Sequence, residues 1–165
     1  MNNFLFSVYN KIIKQSKKNF FFNKFLIPNN YNSRLEIFQL NLIIVLWYMK
    51  FSKIEKKSME QFINYFIKDL EYLLREVGES DSSIPKKIRK LVENFYGRLK
   101  NYSDEFDNIC KKKNDHVGVV LNKNFKSKKI KYDSIRNYIR KNILYFAKLK
   151  KIDFQKLNFD FYLDI

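Results

Sequence analysis

The chain contains almost none of the residues from which catalytic and metal sites are assembled. Its single cysteine, Cys110, excludes an internal disulfide and a cysteine-based zinc site, and it points to a reducing compartment. The one histidine, His116, stands beside Asp115 in a polar stretch, which suits a solvent-facing loop or helix-start residue. Lys111, Lys112 and Lys113 follow Cys110 and would lower a thiol pKa; a half-buried, inert thiol is the other reading. Asp153, Asp160 and Asp164 are spread along the C-terminal tail and share no face. Three glycines, Gly78, Gly97 and Gly118, cannot form a phosphate-binding loop. These shortages predict a protein that is not an enzyme and carries no metal or cofactor.

Glycine and the two prolines are also too few for a turn-rich β protein, whereas helices joined by polar loops need little of either. The longest apolar block, LNLIIVLWYM (40–49), falls short of the roughly 20 residues that span a bilayer. The start, MNNFLFSVYNKIIKQSKK, has neither the order of a signal peptide nor the arginines of a transit peptide. It reads as a lysine-bearing amphipathic helix.

Aromatic and basic residues, by contrast, are abundant. With 165 residues, 45% hydrophobic and 18% aromatic, the chain can bury a core as one domain. Lys and Arg number 33 against 17 acidic residues, a net charge of +16. Such an excess suits an anionic partner: RNA, a ribosome or acidic lipid. The same lysine-, asparagine- and isoleucine-rich usage is what an AT-rich genome produces. Lys111, Lys112 and Lys113, and Lys126, Lys128 and Lys129, are candidate contacts to an anionic surface, with Phe125, Tyr132 and Tyr145 interleaved. Lysines on the polar faces of helices also serve solubility alone.

The apolar spacing is helical throughout. Phe4, Val8, Ile12 and Ile13 mark a helix within 3–18, and Pro28 ends a short aromatic segment. Ser33 and Glu36 form a capping-box signature that opens a helix to about 51. Apolar residues cover nearly the whole circumference of that helix, so it is expected to be buried. A second box at 58–61 opens a striped helix that Gly78 stops. Ser82 or Ser83 caps the next, which carries Ile88, Leu91, Phe95, Leu99 and Tyr102 on one face. Segments 103–113 and 115–126 read as two shorter helices, and a last long helix follows a basic loop. The fold class is all-α, a bundle around the central helix at about 33–51. It divides into an N-terminal helix (1–19), a helical domain (20–150) and an aromatic, acidic tail (151–165). Gly97 falls opposite Ile88 on the helical wheel, leaving a notch where the N-terminal helix or a partner could approach.

Residues 74–98, LREVGESDSSIPKKIRKLVENFYGR, carry a more specific pattern. Leu74, Arg75, Glu76, Gly78, Asp81, Ile84, Lys86 and Lys87, then Phe95, Tyr96, Gly97 and Arg98, match it. The stretch resembles the ubiquinol–cytochrome c chaperone family, helical assembly factors for the cytochrome bc1 complex. Ile27, Pro28, Arg34 and Glu36 fit a second block, with Asn29 in place of the usual acid and Ser33 in place of glycine. Lys123, Asn124 and Phe125 fit a third. The resemblance covers about residues 20–126.

It implies a non-enzymatic chaperone whose client is newly made cytochrome b or another bc1 subunit. A ribosome, a small partner protein or an anionic membrane surface are the further partners it implies. In a bacterium the site of action is the cytoplasm or the periphery of the inner membrane; in a eukaryote it is the mitochondrial matrix side. The expected recognition surface is Asp81, Lys86, Lys87, Tyr96, Gly97 and Arg98. The structural alternative has Asp81 capping a helix and Arg98 paired with Glu36 or Asp104. A basic nucleic-acid- or ribosome-binding module without a bc1 role is the rival function.

Overall fold

An uninterrupted apolar helix can exist in water only if other helices cover every side of it, and that requirement organises this chain. The computed structural model describes residues 3–162, so Asp164 and the extreme ends of the expected first helix and tail lie outside it. Eight helical segments and no strand occur among the described residues. They are α1 (Asn3–Ser16), α2 (Phe20–Asn23), α3 (Tyr31–Phe51), α4 (Lys56–Glu76), α5 (Ile84–Cys110), α6 (Val117–Phe125), α7 (Tyr132–Lys148) and α8 (Lys151–Gln155). Every residue of α3 from Gln39 to Met49 is buried, and α1, α4, α5, α6 and α7 all pack on it. The all-α bundle around a central helix is therefore the architecture observed.

The helix limits refine the sequence expectation. Asn30, not Ser33, caps α3: its side chain accepts from the Ser33 N–H at 2.9 Å. α4 begins at Lys56, two residues before the expected box. Its end is a Schellman turn with Gly78 at φ +86°, where Glu79 N–H bonds the Leu74 carbonyl and Gly78 N–H that of Arg75. Ser83 stands at the N-cap of α5, and Pro85 lies in its first turn.

α5 then runs unbroken to Cys110, where the sequence reading placed a break at 103. Tyr102, Phe106 and Ile109 are buried and continue the stripe of Phe95 at helical spacing. Ser103 and Asp104 look like a cap but sit on the outer half of a continuing helix.

Polar groups inside the core fix how the helices meet. Gln15 Nε2 donates to the Tyr138 hydroxyl at 2.9 Å, which donates to Asn41 Oδ1 at 2.8 Å. Asn41 Nδ2 in turn donates to Ser16 Oγ at 3.0 Å. This chain joins α1, α3 and α7, and burial raises the Tyr138 pKa well above its ordinary value. At the start of α6, the wholly buried Asp115 carboxylate accepts from Arg140 Nη2 at 2.7 Å and faces Arg136 Nε at 3.6 Å. The tail segment as far as Tyr162 packs on the bundle. Phe154, Phe159 and Phe161 are buried, and Asn142 bonds both the N–H and the carbonyl of Tyr162.

Replacing Tyr138 by Phe removes the shared partner of two buried amides. We expect a loss of about 1–3 kcal/mol, seen as a lower urea midpoint with an unchanged slope.

Candidate functional site

The loop before α3, the outer flank of α5 and the end of α6 enclose a polar cleft of about 620 Å³. Pro28 borders it from the loop, Glu36 and Gln39 from α3, Arg98 from α5, and Lys123 with Asn124 from α6. Local structure holds each wall. Buried Ile27 anchors the loop, and its N–H bonds the Phe21 carbonyl. Arg34 Nε donates to Asn29 Oδ1 at 2.7 Å, so the amide that stands in place of the usual acid still holds the arginine. Lys126 ends α6 at φ +53°, and the Tyr132 hydroxyl pins the following loop by donating to the Ser127 carbonyl at 2.7 Å.

Arg98 and Glu36 form the central ion pair. Arg98 Nε donates to Glu36 Oε2 at 2.9 Å, and its Nη2 donates to the other carboxylate oxygen. The two side chains are 21% and 11% exposed, so this fork is shielded more than a surface pair. Arg98 thus pairs with Glu36, as the structural alternative had it, and does not reach Asp104, which bonds Lys100.

The expected recognition residues do not form one patch. On α5, Phe95 points into the core, while Tyr96 and Arg98 lie on opposite flanks, about 160° apart. Gly97 lies between them on the outer ridge, exposed, and a Cβ built there meets nothing within 4 Å. The N-terminal helix therefore does not occupy the notch. Tyr96 is 48% exposed and borders a separate groove of about 360 Å³ beside Trp47. Lys86 is exposed roughly 18 Å from Arg98 along the helix axis.

Asp81 and Lys87 belong to a knot at the α4–α5 turn. Asp81 pairs with Arg75, and Lys87 pairs with Glu79. Hydrogen bonds from Lys87 and Ser83 hold the Glu79 pKa below its ordinary value. The six lysines at 111–113, 126, 128 and 129 are all exposed.

Two other sequence readings can be placed. His116 is exposed at the N-cap of α6, and its N–H donates to Glu105 Oε2 at 2.6 Å. Burial, with Asp107 nearby, raises the Cys110 pKa, the opposite of an activated thiol. No group of three His, Cys, Asp or Glu side chains suited to a metal occurs among the described residues. No described helix is long and apolar enough to cross a membrane.

Sequence reasoning overlooked Gln39 and Asp115. Gln39 and Asn41 are the two amides in an otherwise apolar run, a pattern that could have marked them. Arg136 and Arg140, four residues apart, signal a shared acid but do not say which one.

The residues that line the cleft come from all three matched sequence blocks. The family model for the ubiquinol-cytochrome C chaperone matches residues 23–161. The chain belongs to this family. The crystal structure of the Cbp3 homolog from Brucella abortus matches with a TM-score of 0.81, over 97% of this chain and 89% of that one. At 20% identity the two share the fold. No curated protein matches the sequence. Within this ubiquinol–cytochrome c chaperone, the motif residues divide between the knot at the α4–α5 turn, the cleft around Arg98, the core at Phe95, and the ridge and far groove at Gly97 and Tyr96.

Gly97 sits in an exposed helix interior with open space around it. Gly97→Ala should therefore stabilise the chaperone by about 1 kcal/mol, raising the melting temperature in calorimetry by roughly 2–4 °C.

Proposed function

We propose that this family member is a non-enzymatic assembly chaperone of the cytochrome bc1 complex that binds newly made cytochrome b. The observation that carries the reading is convergence. Pro28 and Glu36, Arg98, and Lys123 with Asn124 come from three distant segments and meet at one cleft. Side chains that serve only to hold helices together have no need to converge on an open surface.

Further features suit the role. An apolar groove of about 400 Å³ between α1, α3 and α4 is lined by Phe38, Leu73 and Tyr72, with Lys17 and Arg34 among its other walls. Tyr72 is 62% exposed there, and such a surface can shield an apolar stretch of a membrane-protein client before insertion. On this reading recognition is divided among separate places: Asp81, Lys86 and Lys87 at the α4–α5 corner, Arg98 at the cleft, Gly97 on the outer ridge and Tyr96 at the opposite groove. The exposed lysines of 111–113 and 126–129 supply attraction to a ribosome or to the anionic inner-membrane leaflet, where the protein works from the cytoplasmic or matrix side. A small partner protein fits against the Gly97 ridge, where two backbones can approach closely.

Two experiments test this reading. Deleting the gene should lower haem b absorbance and bc1 assembly; unchanged spectra and intact complex would leave the nucleic-acid module as the better account. Gly97→Leu should keep the native circular-dichroism spectrum and melt no lower than wild type while abolishing co-purification of the partner. Loss of fold in that variant would show the glycine to be an internal contact.

A further inference from the structure

The cleft presents polar groups that no other side chain uses. Gln39 is 4% exposed, lies against the cleft, and its amide makes no hydrogen bond among the described residues. The Ser33 hydroxyl, 8% exposed and also on the cleft, makes none either. Neither group is sealed from solvent: the sealed side-chain polar atoms without a hydrogen-bond partner among the described residues are Gln15 Oε1 and Arg136 Nε, so Gln39 and Ser33 keep their hydrogen-bonding capacity for what enters the cleft. Across from them, Lys123 and Lys126 form no ion pair among the described residues. Glu36 is the carboxylate of the cleft, and Arg98 engages both of its oxygens.

We propose that the cleft binds an extended, carboxylate-bearing polypeptide segment, whose main chain Gln39 reads and whose acid Lys123 and Lys126 receive. A side-chain amide offers one acceptor and two donors, the complement of a peptide unit with a free N–H and C=O. An extended segment has such groups to offer, whereas a helix has already used its own. The two unpaired lysines favour an acidic residue beside the main chain and disfavour a basic one. A phosphate backbone fits less well, because it carries no N–H to give to the Gln39 acceptor. The ligand is then a polar loop of the client, not one of its apolar helices. This inference rests on the chaperone reading for the identity of the client, and on the cleft alone for the chemistry of the ligand.

The test uses the full chain and short overlapping peptides tiling cytochrome b from the same cell, loops and helices alike, on an array. The array is followed by fluorescence anisotropy of the peptides retained. Wild type should hold acidic loop peptides, and changing their acid to lysine should weaken binding by about tenfold or more. Gln39→Met should leave the melting temperature within a few degrees of wild type yet weaken peptide binding by about tenfold or more. Lys123→Glu should weaken binding without unfolding. A purely internal role for Gln39 predicts the reverse: a lower melting temperature and unchanged binding.

Retention of helix peptides alone, retention of none, or displacement of the peptides by single-stranded RNA would each overturn the proposal. Returning Gln39→Met to the deletion strain separates it from the wider reading. Full rescue of haem b by this variant overturns the cleft assignment and leaves the chaperone role standing. A deletion strain with normal haem b defeats the chaperone role itself, and peptide binding by the cleft is then judged on the array.

Discussion

A helix that is apolar on all sides can turn about its own axis with little change in the area it buries, so burial alone does not orient α3. Polar pegs do. Asn41 bonds Tyr138 on α7 and Ser16 on α1. Trp47 Nε1 donates to Asp107 on α5 at 2.9 Å, and the Tyr48 hydroxyl donates to the Leu149 carbonyl at 2.9 Å. Glu36 receives Arg98. These bonds run in different directions, and one rotation of α3 satisfies them together. Each broken peg would leave a shielded polar group unpaired, at a cost of about 1–3 kcal/mol. The same rotation aims Glu36 and Gln39 at the cleft, so the packing of the core and the shape of the surface are one problem.

The four residues Phe95 to Arg98 show why a short motif can carry fold and surface at once. Successive helical positions turn by about 100°, so four neighbours face four directions. Phe95 packs on Phe66 in the core, with ring centroids 4.9 Å apart. Arg98 reaches across to α3, Tyr96 faces the opposite groove, and Gly97 lies on the ridge. The turn before α5 is different: Asp81 and Lys87 are held by neighbours in sequence, which builds a rigid corner from local ion pairs.

Much of this was legible in the sequence, for reasons that vary by element. The predominantly apolar run of 35–49 announced a central helix, and the stripes of α4 and α5 announced their buried faces. Gly78 marked an end because its left-handed backbone favours glycine. Caps were less readable, since serine followed by an acid recurs on exposed helix faces as well as at helix starts; Ser103 is such a case. The cleft was not legible from periodicity at all. Its walls are separated by some sixty residues between Glu36 and Arg98, and only the resemblance to a family marked the blocks that meet there. Gln39 escaped notice because one amide in an apolar run looks like core until its partners are sought.

The lone tryptophan gives the molecule a built-in optical gauge. Trp47 is 4% exposed, stacked on Phe51 and tethered to Asp107, on the Tyr96 flank of α5. Its emission colour depends on the polarity of that flank, while the cleft lies on the far side of the same helix. A ligand in the cleft would leave the colour of the light unchanged, and a protein seated over Tyr96 would shift it. One unlabelled spectrum can thus tell which side of α5 is occupied.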